Sequence, residues 1–355
     1  MAGFCQGGGV GKCIAEWIID GEPSIDVWAM DVARFGDYAS PQYGTIKSSE
    51  NYERRFIMTF PNETLPKGRK QKTTALYDRF VNQGAVMGDS FGLENVLWFA
   101  NNKEDAHEEP TIKRSRSHDY VSREVINVRE NVGLIEVANF SKHEFKGPDA
   151  RKFLDHVMAG KLPKPGRISL SPMLSYRGKL CGDLTVACLD ENEFMVFGSG
   201  AAQEMHRRWF ESHLDKFDVN YKNRSDEFHG ISIAGPNSRK VLEKIVRDDV
   251  SNEKFKFRDS RRMFVGGVPA IINRISFTGE LGYEIYVAPH YEIKLYEELM
   301  EAGREFNIKP FGGRALMSMR LEKNWGAWTL DYRPDFTAKE TGLDAFINWD
   351  KEFIG

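Results

Sequence analysis

Two stretches of the chain share one pattern of apolar and polar positions. Residues 147–157 read GPDARKFLDHV and residues 235–245 read GPNSRKVLEKI, with five of the eleven positions identical. Each stretch follows a short apolar, strand-like segment, at 135–145 and at 230–234. In each, Pro presets the first helical φ, and apolar residues then follow at helical spacing. The pattern predicts a duplicated strand–helix unit and a two-lobed α+β domain; chance similarity between two helix starts is the alternative.

Alternation of apolar and polar residues predicts two β-hairpins within these lobes. The first joins 184–189 to 194–197 across a polar turn, and the second joins 270–277 to 283–287. Nine of the nineteen residues from 101 to 119 are charged, which is typical of a surface connector or a domain boundary. Apolar residues at helical spacing predict three further helices, at 76–82, 293–306 and 315–323.

A glycine-rich run lies close to the start of the sequence. The run Gly-Gly-Gly-Val-Gly at 7–11 precedes an amphipathic, helical stretch at 12–19. A glycine-rich turn that leads into a helix presents backbone N–H groups and the positive end of the helix dipole, which suits an anion or a polarised carbonyl. Gln6 and Cys13 stand where a phosphate-binding loop needs a glycine and a hydroxyl residue, so the run is not a P-loop.

The amino-acid composition argues against several classes of protein function. The chain has 355 residues, 41% hydrophobic and 28% charged, with a net charge of −3, which predicts a folded protein of two or three domains. The charge balance argues against a dedicated nucleic-acid binder, and no apolar run is long enough to span a membrane. The four cysteines and eight histidines follow no zinc or disulfide spacing, so we expect reduced thiols and no metal.

Two carboxylates are candidates for chemistry on local pattern alone. Asp183 lies at the mouth of a predicted strand and follows Gly182, so it can face a cleft that a ligand approaches closely; a solvated turn residue is the alternative. Glu284 shares one face of its predicted strand with Tyr286, whereas Tyr283 shares the other face with Ile285. The face with Glu284 is either exposed to water or lines a ligand site.

Several motifs follow one another in a fixed order: Gly-Gly-Val-Gly-Lys at 8–12, Phe-Lys-Gly at 145–147, Gly-Asp-Leu-Thr-Val at 182–186, Phe-Thr-Gly-Glu-Leu-Gly-Tyr-Glu at 277–284 and Met-Arg-Leu-Glu-Lys at 319–323. In this order they resemble the C-terminal half of the dimethylglycine/sarcosine dehydrogenase family. That family fuses a flavin domain, which oxidises amines, to a folate-binding domain similar to the glycine-cleavage T protein. The resemblance covers nearly the whole chain.

The resemblance implies an α+β, T-protein-like (aminomethyltransferase) folate-binding fold over 106–355. An FAD-dependent oxidoreductase central domain is expected at 23–105, and the C-terminal remnant of an FAD-dependent oxidoreductase domain at 1–22. The family's final C-terminal barrel is expected to be absent, so the chain is expected to be truncated at both ends.

The resemblance also implies roles for particular residues. Asp183 is expected beside N10 of tetrahydrofolate as the catalytic carboxylate, and Glu284 is expected to accept hydrogen bonds from the N–H groups of the pterin ring. Tyr176 and Tyr283 are expected folate-binding neighbours, with packing as the alternative. The arginine with which the T protein contacts folate has no counterpart, because a non-polar residue near Leu316 falls there.

The expected cofactors follow from the same resemblance. Tetrahydrofolate is expected to bind this chain, whereas FAD belongs to the full-length family and is not expected to be retained. Any flavin contact is expected to come from the helix N-terminus at Gly8, Gly9 and Gly11, directed at the C2 carbonyl of the ring.

The implied function is the folate-binding part of an oxidative N-demethylase, which captures a one-carbon unit as 5,10-methylene-tetrahydrofolate. A free-standing aminomethyltransferase-like protein and a non-catalytic folate-fold binding protein are the alternatives. The expected partners are a small methylated amine and folate, with no nucleic acid and no membrane. The expected location is a bacterial-type cytoplasm or the mitochondrial matrix, and no oligomeric state is predicted.

Overall fold

A computed structural model describes residues 3–355. The N-terminal third contains three α-helices and one hairpin among the described residues, which are α1 (Gly3–Asp20), α2 (Pro41–Glu53), α3 (Tyr77–Asn82), β1 (Ala85–Ser90) and β2 (Leu93–Phe99). Residues 100–116 that follow form no helix or strand and are largely exposed, as predicted for the charged connector.

The rest of the chain alternates strands and helices. Its elements up to the second copy of the repeat are α4 (Ser117–Glu130), β3 (Val132–Glu136), β4 (Phe140–Lys146), α5 (Ala150–Val157), β5 (Arg167–Leu174), β6 (Leu180–Asp190), β7 (Glu193–Ser199), α6 (Gln203–Glu211) and β8 (Asn220–Asn223). The remaining elements are β9 (His229–Ala234), α7 (Ser238–Ile245), β10 (Ser260–Val265), β11 (Val268–Asn273), β12 (Gly282–Val287), α8 (Glu292–Ala302), β13 (Ile308–Pro310) and α9 (Gly313–Glu322).

The strands after residue 130 form two sheets. The six-stranded sheet has the order β10-β11-β12-β9-β3-β13, and the five-stranded sheet has the order β5-β6-β7-β4-β8. Every neighbouring pair is antiparallel except β13 and β3. This mixture of helices and antiparallel sheets confirms the α+β class.

The duplicated unit occurs once in each sheet, as β4–α5 and as β9–α7. The helices begin at Ala150 and Ser238. Each Pro therefore lies in the turn before the helix, whereas the sequence had suggested that it occupies the first helical position. Gly147 and Gly235 begin the two turns with positive φ values of 138° and 130°. The repeated Gly-Pro pair therefore specifies a turn that only glycine enters without strain.

The two sheets face each other across an apolar layer, which we call the seam. Phe197 of β7 and Tyr286 of β12 stack across the seam with ring centroids 4.5 Å apart. Val128 of α4 and Met319 of α9 are buried in the same layer. The outer face of each sheet packs on helices and has a core of its own.

Helix α1 corrects the predicted N-terminal turn. It runs without a break from Gly3 to Asp20, so the glycines at 7–11 lie inside the helix, and none of its residues is buried. Glycine is not excluded from an α-helix; it only costs about 1 kcal/mol relative to alanine. The run of glycines was therefore wrongly interpreted as a turn.

No helix within the described residues is both long and apolar enough to cross a membrane. The four cysteines are free thiols. Residues 3–355 contain no group of three or more His, Cys, Asp or Glu side chains arranged to hold a metal ion.

Candidate functional site

Glu284 lies on the face of β12 that looks into the seam. Tyr286 shares that face and stacks on Phe197 across it, whereas Tyr283 and Ile285 belong to the core on the outer face of the sheet. The Glu284 side chain is only 9% exposed. Of the two interpretations left open by the strand pattern, the water-exposed face is therefore wrong.

The Glu284 carboxyl has an unusually high pKa. Burial raises its pKa to about 7, although a hydrogen bond from Tyr286 and the charge of Lys142 both oppose the rise. The Tyr286 hydroxyl donates to Glu284 Oε2 at 2.8 Å. The carboxyl therefore retains acceptor sites for further N–H donors.

Lys142 is a functional candidate that the sequence analysis did not single out. It lies on β4 directly opposite Phe197, fully buried, and its Nζ donates to the Ala138 carbonyl at 2.8 Å. The Nζ is 6.0 Å from the centre of the Tyr286 ring. Burial lowers the pKa of this lysine to about 7, against the pull of nearby carboxylates that include Glu284.

A row of polar side chains crosses the six-stranded sheet at the level of Glu284. Asn273 of β11 pairs with Glu284, and Glu284 pairs with Ser232 of β9. Ser260 of β10 pairs with Asn273 at the other end. Directly opposite residues of antiparallel strands project from the same face, so these four side chains, which we call the polar row, all face the seam. The alternation of β11 could have identified Asn273, because Ile271 shares its face.

Asp183 lies on β6, on the face of the five-stranded sheet that looks into the seam. It is half-buried and pairs with Pro172 of β5. Burial raises the pKa of its carboxyl to about 7, and among the residues described only its own backbone N–H opposes the rise through a hydrogen bond. Burial raises the pKa of Tyr332, and the negative charge of Asp183 adds to the rise.

A chain of side-chain contacts and strand pairings links the two predicted carboxylates. Thr185, two residues after Asp183, pairs with Phe197 of β7. Phe197 stacks on Tyr286, and the Tyr286 hydroxyl binds Glu284. The structure thus brings Asp183 and Glu284, which are 101 positions apart in the sequence, to facing sides of the seam.

The two predicted tyrosines do not join them. Tyr283 is fully buried on the outer face of β12, where its hydroxyl accepts a hydrogen bond from Arg239 Nε at 3.2 Å. Tyr176 is 61% exposed, and its hydroxyl lies 2.8 Å from His213 Nε2. Tyr283 therefore fits the packing alternative, whereas the folate contact of Tyr176 stays a prediction.

The glycines of α1 do not form a flavin cradle. A Cβ added at Gly8, Gly9 or Gly11 would meet no atom within 4 Å outside the helix's own backbone. Nothing in their surroundings requires glycine, and their amides lie within the helix, away from its N-terminus at Gly3. The residues present do not fit the predicted contact with a flavin ring.

Leu316 marks the region in which the folate-contacting arginine of the T protein has no counterpart. It lies on α9, partly buried against the seam, and lines a small cavity of about 50 Å³ with Phe140 and Pro310. One turn further on, the buried Arg320 donates to the Trp325 carbonyl at 2.8 Å and pairs with Asp331. Arg320 is thus engaged within the protein and does not replace the missing arginine.

Two protein families match this chain. The GCVT N-terminal domain matches residues 76–351, and the FAD dependent oxidoreductase central domain matches residues 20–74. Together they cover nearly all of the sequence in the order that the motifs had indicated.

Comparison with individual known proteins indicates the same family. The chain is 35% identical to human mitochondrial dimethylglycine dehydrogenase, over 99% of this chain and 41% of that protein. It is 28% identical to human mitochondrial sarcosine dehydrogenase, over 96% of this chain and 42% of that protein. The chain thus spans about two fifths of the length of these relatives.

The fold also matches a solved structure. The glycine cleavage system aminomethyltransferase T from Bartonella henselae superposes with a TM-score of 0.68 over 80% of this chain and 72% of that chain, at 22% identity. The predicted T-protein-like fold is therefore confirmed.

Proposed function

Because the chain belongs to the GCVT N-terminal domain family, in the form found in dimethylglycine and sarcosine dehydrogenases, we propose that it binds tetrahydrofolate and captures a one-carbon unit on it. The product is 5,10-methylene-tetrahydrofolate, and the carbon comes from the oxidation of a small methylated amine. One observation carries the proposal: Glu284 and Asp183, both with a pKa raised to about 7, lie on facing sides of one seam.

Glu284 fits the recognition of a pterin ring. The ring presents neighbouring N–H groups like those of a guanidine, and a carboxylate accepts two parallel hydrogen bonds from such a pair. Only one hydrogen bond, from Tyr286, engages Glu284 Oε2 within the described part of the chain. The bonds from the ring would favour the charged form of Glu284 and so lower its pKa.

Asp183 fits the role of a proton acceptor. Tetrahydrofolate supplies two nucleophilic nitrogens that take up a carbon at the oxidation level of formaldehyde, with loss of water. Closing the ring through N10 removes a proton from that nitrogen. A carboxylate whose pKa is near 7 is charged in about half of the molecules at neutral pH, so it is available to accept a proton. It also binds that proton more strongly than an ordinary carboxylate does, and a general base requires both properties.

The proposal for this chain is restricted to the folate step. Amine oxidation is the chemistry of a flavin, and the glycines of α1 do not fit a flavin contact. The relatives carry "mitochondrial" in their names, which supports the mitochondrial location among the two that were expected.

Calorimetric titration of the purified chain with tetrahydrofolate, without oxygen, tests the proposal. Saturable binding is expected, and the apparent enthalpy should differ between buffers of different ionisation enthalpy because Glu284 releases a proton. The matched control ligand is 4-aminobenzoylglutamate, which has the tail of folate but no pterin and should bind far more weakly. Equal binding of the two ligands, or none of either, would contradict the proposal.

A further inference from the structure

The polar row contains buried atoms that have no partner in the protein. Asn273 is fully buried, and neither its Oδ1 nor its Nδ2 is hydrogen-bonded to any of residues 3–355. Beside it in the row, the Oγ of Ser260 is 2% exposed at residue level and is likewise unpaired within that range. Three adjacent polar atoms therefore lie unsatisfied on the face that carries Glu284.

Unsatisfied polar atoms are unfavourable in a protein core. A buried donor or acceptor without a partner costs about 1–3 kcal/mol, whereas an apolar side chain of the same shape costs nothing of this kind. The nearest residue on the same strand and face, Ile271, is apolar and packs in the seam. Packing alone would therefore favour leucine over asparagine at position 273.

We propose that Asn273 is a second residue that contacts the pterin ring, beside Glu284. The inference rests on the proposed function, because it assigns a further residue to the same site. Asn273 and Glu284 are directly opposite in the β11–β12 pair, a position in which Cβ atoms are about 5 Å apart. This spacing lets one flat ring contact both side chains.

The chemistry of the two side chains is complementary. Glu284 accepts from the amino and ring N–H groups of the pterin, and the next group along that edge is a carbonyl oxygen, which needs a donor. The Asn273 amide has two N–H donors and an acceptor oxygen, and all are free of protein partners in the described structure. The pair therefore matches the donor–donor–acceptor order of a 4-oxo pterin.

The variant Asn273→Leu separates a ligand contact from a structural role. In the absence of ligand, its thermal midpoint should equal or exceed that of the wild type, because the variant removes two unsatisfied polar atoms. Its dissociation constant for tetrahydrofolate should rise about tenfold, the factor that corresponds to one lost hydrogen bond of about 1.4 kcal/mol. Asn273→Ala is the second variant, in case leucine does not fit.

The matched control is Ile272→Val, on the same strand but in the outer core. It should lower the thermal midpoint and leave the dissociation constant unchanged. Unchanged affinity in Asn273→Leu, or in Asn273→Ala if the leucine variant does not fold, would overturn the inference.

Glu284→Gln belongs in the same series. If it weakens binding while the Asn273 variants do not, the proposed function stands and the assignment of Asn273 fails. If the wild type itself does not bind tetrahydrofolate, both fail.

Discussion

At the scale of the residue, Glu284 and Asp183 carry a pKa raised to about 7, and in both burial is the largest cause. They differ in their surroundings. Glu284 has a hydroxyl donor and a buried lysine nearby, whereas Asp183 has only its own backbone N–H among the groups described that favour its charge. This difference suits Glu284 to binding and Asp183 to proton transfer.

Replacing Glu284 by glutamine should weaken tetrahydrofolate binding. Glutamine accepts one hydrogen bond where the carboxylate accepts two and carries no charge, so we expect a loss of roughly 1–3 kcal/mol, or about 5- to 150-fold in the dissociation constant. In the wild type, affinity should increase as the pH rises from 6 through 7, because the ligand binds the carboxylate form, and should level off above about pH 8. Titration calorimetry at several pH values measures both effects.

The same titrations provide a check on the glutamine variant. Its affinity should not change over this pH range, because the titrating group is gone. The matched control is Glu243→Gln, at an exposed position on α7, which should behave as the wild type. A pH dependence that persists in Glu284→Gln would assign the proton to another residue.

Replacing Asp183 by asparagine should slow carbon transfer more than it weakens binding. Asparagine keeps the shape of the side chain and removes the proton acceptor, so we expect a rate loss of about 100-fold or more and a dissociation constant within a few-fold of the wild type. In the wild type, the rate should rise with pH through about 7, since the carboxylate is the active form. Stopped-flow measurement of methylene-tetrahydrofolate formation from formaldehyde reports the rate, with Asp190→Asn at the exposed end of β6 as control.

At the scale of the element, local patterns gave the framework of the fold. The repeated Gly-Pro-…-Arg-Lys stretch predicted the two strand–helix units, and alternation predicted the hairpins β6–β7 and β11–β12. These features depend on neighbours in the sequence. The glycines of α1 were wrongly predicted to form a turn, because glycine allows a turn without requiring one.

The site was predicted only in part, for a related reason. Glu284 and Asp183 were candidates from the local pattern, and the family resemblance supplied their expected roles. The alternation of β11 could have placed Asn273 on the seam face, but no local pattern identifies the residues that face Asn273 and Lys142 from other strands. Tyr283 is next to Glu284 in the sequence, but alternation along the strand places its side chain on the opposite face. Proximity along the chain therefore does not bring a residue into the site.

The turn of the repeat predicts a hierarchy among glycine substitutions. In Gly147→Ala and Gly235→Ala, the new Cβ would lie 2.5 Å from backbone oxygens, in addition to the strain of a positive φ. Gly178 has a φ of 71° and open space around it, so Gly178→Ala should cost only about 1–2 kcal/mol. We expect each repeat variant to lose at least about 2 kcal/mol more than this control in urea unfolding. Equal losses in all three would mean that φ alone, and not the close packing of the turn, requires glycine in the repeat.

At the scale of the whole molecule, the seam combines apolar packing with buried charge. Lys142 of the five-stranded sheet lies near Tyr286 and Glu284 of the six-stranded sheet. The fold thus places ionisable groups in the layer that holds its two halves together, at a cost in stability that a purely apolar layer would avoid. We interpret this cost as the consequence of building a polar ligand site between two sheets.

Replacing Lys142 by methionine should stabilise the protein at low pH and lose that advantage at high pH. Burial lowers the pKa of Lys142 from 10.5 to about 7, so the unfolded chain binds more protons between these values, and the wild type gains stability as the pH rises from 7 to 10.5. Methionine removes the cost of burying the charge, which is largest below pH 7. Asp226, Glu136, Glu284 and Glu292 surround Lys142, but above pH 7 the lysine is neutral in the wild type as well, so its removal takes no counter-charge from them there. The difference in unfolding free energy between variant and wild type, measured in urea from pH 6 to 10, should therefore fall by up to several kcal/mol. A constant difference would show that Lys142 remains charged in the folded protein.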